Sequence, residues 1–263
     1  MNMRRNPKTE EYLFGMIKNH IVENGKNRPY GIHVSDLINP LRAFHNKMHP
    51  TELTDDEINR FFSGNAFEEM VSKVLFPDSS MIHSESGVWN GIHYEIDFFD
   101  KSFQYENPFF IPNELKSTLL SHRYKTIEFN ADIVDNLSES ELMACFPDYV
   151  KQIKKYMVIK NSNVGNIIIY FWQLTVSYEK SIAFGKRLPQ LRTYEINMTG
   201  EELLAEKESM LRTKNELTNA LVRNDPSALD CCPEWMCKIC PHFNVNCKGT
   251  YAQKMAQDPS KVI

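Results

Sequence analysis

The sequence predicts an α/β (α+β) fold in which a central sheet is flanked by helices. Three observations lead to this prediction. Apolar residues recur at helical spacing in several long segments, short segments rich in β-branched and aromatic residues lie between them, and helices precede and follow those strands along the chain. With 263 residues, 42% of them hydrophobic and 24% charged, the chain suits one large globular domain with a small appendage.

The first third of the chain is predicted to be mainly helical. Residues 9–24 form an amphipathic pattern, and "VSDLINPLRAFHNKM" predicts a short helical segment that is interrupted near Pro40. A further helix is predicted to run up to Pro77. Its apolar stripe consists of Phe67, Met70, Val71, Val74 and Leu75.

Strands and helices are predicted to alternate in the middle of the chain. "SGVWNGIHYEIDFFD" and "NPFFIPNELKS" favour β-structure, and residues 147–160 return to a helical pattern. Residues 164–176 predict a buried strand with "RTYEINM" paired beside it. A long helix then follows from Thr199 to about Val222, because Thr199 and Glu202 form a capping box at its start.

Composition limits the possible classes of function. A net charge of −4 gives no overall basic surface for nucleic acid, although local Lys and Arg clusters could supply one. No run approaches the roughly 18 apolar residues of a membrane span, so no membrane partner is expected. The first 20 residues are charged and amphipathic rather than a secretory signal. We therefore expect an intracellular, cytoplasmic protein (host cytoplasm if the chain is viral) without a disulfide framework.

Four charged residues are placed unusually for solvated surface. Glu114 and Lys116 share one face of a predicted strand, which is either the solvated face of an edge strand or a functional site. Asp97 lies among apolar residues in "HYEIDFFD". On the preceding helix, Glu68 borders the apolar stripe, whereas Glu69 points to solvent. Converging carboxylates of this kind suit Mg²⁺ or Mn²⁺, and a nearby lysine favours metal-assisted phosphodiester hydrolysis.

The order of several motifs resembles a known family. Asp97 followed by "ELK" is similar to the D…ExK core of the PD-(D/E)XK nuclease superfamily, and "GNAFE" and "QIKKY" resemble the helix and QxxxY motifs of RecB-like nucleases. "VSDLINPLR" and "CKICPHFNVNC" resemble the opening and closing motifs of CRISPR-associated iron–sulfur exonucleases of the Cas four type. The resemblance spans roughly residues 30–250 and includes a helix position, Glu68, where relatives often have His.

This resemblance implies a fold, an activity and a set of roles. The fold would be restriction-endonuclease-like, with a mixed central sheet. The activity would be that of a metal-dependent exonuclease on DNA, single-stranded or at duplex ends, in recombination, repair or CRISPR spacer acquisition alongside the proteins of those pathways. Mg²⁺ or Mn²⁺ would bind the residues Glu68, Asp97, Glu114 and the carbonyl of Leu115. Lys116 would position the attacking water, and Gln152 and Tyr156 would brace the site.

Five of the six cysteines lie near the C-terminus. The spacing of Cys237, Cys240 and Cys247 is typical of metal ligands, and Cys232, with Cys231 as the substitute, would be the fourth. Four thiolates could hold a 4Fe-4S cluster, which the resemblance favours, or a structural Zn²⁺. The family's N-terminal cysteine is missing here because Pro40 stands at that position. The four ligands would therefore fix the tail to itself.

Two further interpretations stay open at this point. The chain could be a nuclease-like module that binds DNA or docks to proteins without cleavage, or a zinc-ribbon protein in which the carboxylates are incidental. For the nuclease that the resemblance implies, residues 1–227 are predicted to form a PD-(D/E)XK RecB-like nuclease domain, 228–251 a cysteine-rich metal-binding segment (iron–sulfur or zinc) packed on it, and 252–263 a C-terminal tail. Cys145 is expected to be a small buried hydrophobic residue.

Overall fold

A computed structural model describes residues 7–26, 29–75, 84–100, 111–118, 137–176, 186–237, 240–243 and 245–247. The helices in these ranges are α1 (Pro7–Lys26), α2 (Pro40–Met48), α3 (Asp55–Leu75), α4 (Glu139–Cys145), α5 (Pro147–Lys160), α6 (Gly200–Arg223) and α7 (Glu234–Cys237). The strands are β1 (Ile32–His33), β2 (Glu85–Trp89), β3 (Ile92–Ile96), β4 (Phe98–Asp100), β5 (Ile111–Thr118), β6 (Val164–Val176) and β7 (Lys186–Asn197).

The chain divides into two compact units. The first comprises Met1–Tyr30 and Glu52–Pro77, and the second comprises Gly31–Thr51 and Asp78–Ile263. The first unit contains α1 and α3, both of which the sequence predicted. On α3, Phe67 is buried as expected, but Met70 is 48% exposed, so the apolar stripe is narrower than predicted.

The second unit contains two sheets. The smaller sheet has the order β1-β3-β2, and its β2–β3 hairpin turns through Asn90 and Gly91. Both turn residues have positive φ angles, 49° and 75°, as a two-residue type I′ hairpin requires. The Asn-Gly pair in the sequence therefore explains this tight connection.

The larger sheet has the order β4-β5-β6-β7. Strand β5 runs parallel to β6, while β4 and β7 are antiparallel to their neighbours. This arrangement confirms the predicted mixed central sheet flanked by helices. In the described part of the chain, strand β4 pairs only with residues 111–113 of β5, but a solvated face is wrong for Glu114, because its side chain is fully buried.

Helix α5 covers β5 and β6 and forms the centre of the core with them. Side chains of Ile153 and Met157 approach β6 so closely at Gly165 that an added Cβ would lie 2.8 Å from Met157 Cγ. The helix starts with Pro147 at its first position and ends at Asn161 in the left-handed conformation. Both α5 and β6 have the predicted boundaries, 147–160 and 164–176. Cys145 is buried in the same core, as expected.

The long C-terminal helix, α6, begins where the sequence predicted. Helix α6 starts at the predicted capping box, where Thr199 accepts a hydrogen bond from the Glu202 amide. None of the helices in the described ranges has the length and apolar content to cross a membrane.

Candidate active site

Asp97 lies at the bend where the chain leaves β3 in the smaller sheet and enters β4 in the larger one. Its carboxylate oxygen Oδ2 accepts a hydrogen bond of 2.6 Å from the backbone amide of Leu115 in β5. This charge-assisted bond fixes the carboxylate against the middle of β5. Leu115 lies between Glu114 and Lys116 in the sequence. The bond from its amide therefore brings the Asp97 carboxylate close to both of these charged residues.

Glu114 and Lys116 form an ion pair on one face of β5. They align with Ile167 and Ile169 of the parallel strand β6, whose side chains are fully buried. The Glu114 side chain is also fully buried, whereas that of Lys116 is 26% exposed. The face that carries both charges is therefore the core face, and the lysine is the member of the pair that reaches solvent.

The environment keeps Lys116 charged. Burial lowers the pKa of this lysine, but the negative charges of Glu114 and Asp97 raise it by more, so that its pKa lies well above the usual value. Lys116 is therefore an ammonium group, which donates hydrogen bonds and offsets negative charge but does not accept a proton.

Tyr149 of α5 supports this lysine from the helix side. The Lys116 Nζ atom lies 5.9 Å from the centroid of the Tyr149 ring, and that ring stacks on Phe146 with a centroid distance of 5.4 Å. Such a contact between an ammonium group and an aromatic ring is attractive. Sequence reasoning missed Tyr149, although it shares a helix face with Gln152 and Tyr156 at i+3 and i+7.

Gln152 and Tyr156 brace the strand that carries Asp97. The Tyr156 hydroxyl donates a 2.6 Å hydrogen bond to the carbonyl of Glu95 and accepts one of 3.0 Å from Gln152 Nε2. Tyr156 is only 3% exposed, and burial, together with the charges of Glu114 and Asp97, raises the pKa of its phenol well above normal. Both side chains are therefore joined to β3, and their role in catalysis stays a prediction.

For two of the predicted metal ligands, Glu68 and the carbonyl of Leu115, the structure does not test the predicted role. Glu68 is half-buried and Glu69 exposed on α3, as expected, but α3 belongs to the first unit and the ligand role of Glu68 stays a prediction. Leu115 contacts Asp97 through its amide, and the role of its carbonyl stays a prediction. Within the described ranges, no group of three or more His, Cys, Asp or Glu side chains is arranged to hold a metal ion.

The cysteines predicted as ligands lie around one cavity. Its lining consists of Leu41, Arg42, His45, Cys232, Cys237, Cys240, Phe243 and Cys247. Cys231, the substitute candidate, is exposed. Burial raises the pKa of the Cys232 thiol to about 11, a hydrogen bond from the Arg42 backbone amide opposes this shift, and the other three cysteines add to it. Four cysteine sulfurs around one cavity supply the donor set of an iron–sulfur or zinc centre, and their ligand role stays a prediction because the described side chains are not arranged to hold a metal ion.

Helix α2 holds the cysteine segment in place. His242 is fully buried in that segment, and its Nε2 lies 2.8 Å from Oδ1 of Asn46. The rings of His45 and His242 stack with a centroid distance of 5.6 Å. The tail is thus fixed to α2 as well as to itself, which the local spacing of the cysteines did not predict.

Comparisons with known proteins concern the fold. No protein-family model matches the chain, and no curated protein does. The solved structure of SSO0001 is 15% identical and aligns over 90% of this chain and 94% of its own, with a TM-score of 0.50. The chain shares the fold of that structure. Two other solved structures are similar at lower TM-scores. A phage-related exonuclease from Haemophilus somnus 129PT is 13% identical over 75% of this chain and 97% of its own, with a TM-score of 0.45. An alkaline exonuclease from Laribacter hongkongensis is 9% identical over 74% and 91%, with a TM-score of 0.40.

Asp97 lies at the bend between β3 and β4, and the Glu114–Lys116 segment lies in β5, which pairs with β4 and β6 in the larger sheet. Helix α5 packs on β5 and β6, and of the Glu114–Lys116 pair only the Lys116 side chain is partly exposed. The arrangement offers two carboxylates and one ammonium group at a single position.

Proposed function

We propose that this protein is a metal-dependent DNA exonuclease whose site consists of Asp97, Glu114 and Lys116. The observation that carries the proposal is the hydrogen bond from the Leu115 amide to Asp97, since it brings a carboxylate from the β3–β4 bend to the Glu114–Lys116 pair. Two neighbouring carboxylates repel each other, so their meeting at this place is unfavourable for stability. A bound cation between them would offset that repulsion.

The donor set fits a hard divalent cation. Asp97 and Glu114 supply carboxylate oxygens, the preferred ligands of Mg²⁺ and Mn²⁺, and Glu114 already attracts one cation in Lys116. When bound, such an ion makes a water more acidic and stabilises negative charge on a phosphate. We assign the carbonyl of Leu115 as a further ligand, while the ligand role of Glu68 stays a prediction from the sequence.

The residues of the chain supply positioning and charge. Lys116, as an ammonium group, donates hydrogen bonds to the attacking water or to a phosphate oxygen, where negative charge grows during the reaction. Water adds to phosphorus and loses a proton to solvent, the bond from phosphorus to the leaving oxygen breaks, and that oxygen takes up a proton from solvent. Gln152 and Tyr156 hold the strand of Asp97 in place through the Glu95 carbonyl.

The cysteine cavity completes the proposal with a second metal centre. Cys232, Cys237, Cys240 and Cys247 line one cavity, and we assign them to a 4Fe-4S cluster, with a structural Zn²⁺ as the alternative. Metal analysis of anaerobically purified protein separates these cases, because a cluster gives a brown protein with about four irons per chain and zinc gives a colourless one. A cluster would place the protein beside the iron–sulfur exonucleases that its motifs resemble.

The test of the nuclease function uses end-labelled DNA, single-stranded and duplex, with Mg²⁺, Mn²⁺ or EDTA. Asp97→Asn removes the carboxylate charge, and Glu95→Gln is the matched control, since Glu95 is exposed and lies two residues earlier on the same strand. We expect trimming from an end that EDTA stops, a loss of about 100-fold or more in Asp97→Asn, and no loss in the control. Equal cleavage by wild type and Asp97→Asn would overturn the site. DNA binding without cleavage under either cation would favour the docking-module interpretation.

A further inference from the structure

His45 occupies an unusual position beside the cysteine cavity. It lies on α2, one turn after Leu41 and Arg42, and all three residues line the cavity together with the four cysteines. Its side chain is 4% exposed, and its Nδ1 atom is buried with no hydrogen-bond partner in the described part of the chain. Its other contacts are with the aromatic rings of Phe44, His49 and His242.

A buried imidazole nitrogen without a partner is unfavourable, so its place at the cavity wall calls for something inside the cavity. The four thiols already complete the ligand set of a cubane cluster or of a tetrahedral zinc. His45 is therefore not needed as a ligand, but its imidazole can still donate a hydrogen bond. An imidazole ring carries at least one N–H group in either protonation state, so a donor is always present.

The cavity already shows one hydrogen bond of this type. The backbone amide of Arg42, in the first turn of α2, bonds to the sulfur of Cys232. Leu41 and Phe243 make the rest of the wall apolar, which strengthens any interaction with the negative sulfurs. Polar donors toward the cavity therefore come from α2, the helix whose first residue, Pro40, takes the place where the resemblance predicts a cysteine ligand.

We propose that the His45 imidazole donates a hydrogen bond to a sulfur of the cysteine-bound cluster, so that α2 is joined to the cluster by N–H···S bonds in place of a coordinate bond. This inference rests on the iron–sulfur assignment made above and is independent of DNA cleavage. Hydrogen bonds to cluster sulfurs stabilise the reduced, more negative state and protect the cluster. Loss of the imidazole should lower the reduction potential and make the iron more labile.

The test compares anaerobically purified wild type with His45→Leu, which removes the donor, and His45→Gln, which retains an amide N–H. His49→Gln is the matched control, because His49 stacks on His45 but is exposed and does not line the cavity. Three quantities are measured on each protein: iron per chain, the midpoint potential from a redox titration, and the rate of iron release to a chelator. Melting curves from circular dichroism show that each variant is folded.

We expect wild-type iron content in all four proteins. His45→Leu should have a more negative midpoint potential and release iron about 10-fold faster or more, since partners of this kind typically change metal affinity by that factor. His45→Gln should shift less, and His49→Gln not at all. Equal potentials and release rates in wild type and His45→Leu would overturn the inference. A further variant, Cys240→Ala, shows the iron content that remains when one ligand is lost. If His45→Leu lost as much iron as Cys240→Ala, the inference would also be overturned, because His45 would then be a ligand. Wild type without iron would overturn it as well, while the cleavage assay would still decide the nuclease proposal.

Discussion

Replacing Tyr156 with Phe separates a bracing role from a role in contact with substrate. The substitution keeps the ring and removes one hydroxyl, which donates to the Glu95 carbonyl and accepts from Gln152. Tyr156 is 3% exposed, so water cannot readily replace the lost partner of that carbonyl. Gln152 is half-buried and can turn toward solvent. We therefore assign a cost near that of one buried group left without a partner, about 1–2 kcal/mol in the free energy of unfolding.

The same substitution should weaken catalysis in a graded way. Glu95 lies two residues before Asp97, so losing its anchor loosens the carboxylate without removing it. Because small misplacements of reacting groups can cost up to about 100-fold in rate, we expect kcat to fall about 10- to 100-fold with little change in KM. Asp97→Asn should lose more.

Urea denaturation followed by circular dichroism measures the first effect, and single-turnover cleavage of end-labelled DNA measures the second. Tyr30→Phe is the control, since Tyr30 is fully exposed. A Tyr156→Phe variant with wild-type stability but no cleavage would refute the bracing role, because the phenol would then act on the substrate. If Tyr156→Phe had the stability and the cleavage rate of wild type, the hydroxyl would contribute to neither.

Two predictions concern the stability of the second unit. Gly165→Ala should lower the free energy of unfolding by about 1–3 kcal/mol, because the new Cβ would lie 2.8 Å from Met157 Cγ. Gly200→Ala is the control and should not lower it, because nothing lies within 4 Å of the Cβ position there. A Gly165→Ala variant as stable as wild type would show that α5 can shift away from β6 at little cost. Thr199→Ala should lower the melting temperature by about 2–4 °C through loss of the helix cap. Hydrogen bonds with Thr199 lower the pKa of Glu202, so this contribution is present above about pH 4.5 and is lost as the pH falls through the lower folded pKa. The difference between wild type and Glu202→Gln, which removes the titrating carboxylate, should therefore narrow in acid, and a constant difference would contradict the role of Glu202.

Local periodicity was sufficient to predict several elements. Helix α5 and strand β6 have the predicted limits because Pro147 starts the helix and a run of alternately buried apolar residues marks the strand. The capping box at Thr199 likewise fixed the start of α6. In each case the residues that decide the element lie within a few positions of one another.

Contacts between distant residues were harder to predict. The bond between His242 and Asn46 joins residues 196 positions apart, and nothing in either local pattern indicates the partner. Tyr149 was missed because an aromatic residue on a half-buried helix usually packs in the core. The sequence predicted that Asp97 and Glu114 lie near each other, but spacing along the chain does not show that a bend at Asp97 carries the chain from one sheet to the next.

The most direct test of the central claim is the effect of Lys116 on cleavage. Lys116→Met removes the ammonium group that pairs with Glu114 and reaches solvent, while Lys154→Met removes a half-buried lysine from α5 as a control. Single-turnover cleavage of end-labelled DNA is measured in Mn²⁺ for both variants and wild type, with DNA binding measured in parallel. The account predicts a loss of about 100-fold or more for Lys116→Met with binding retained, and a near wild-type rate for Lys154→Met. Cleavage by Lys116→Met at the wild-type rate would contradict the assignment of this site.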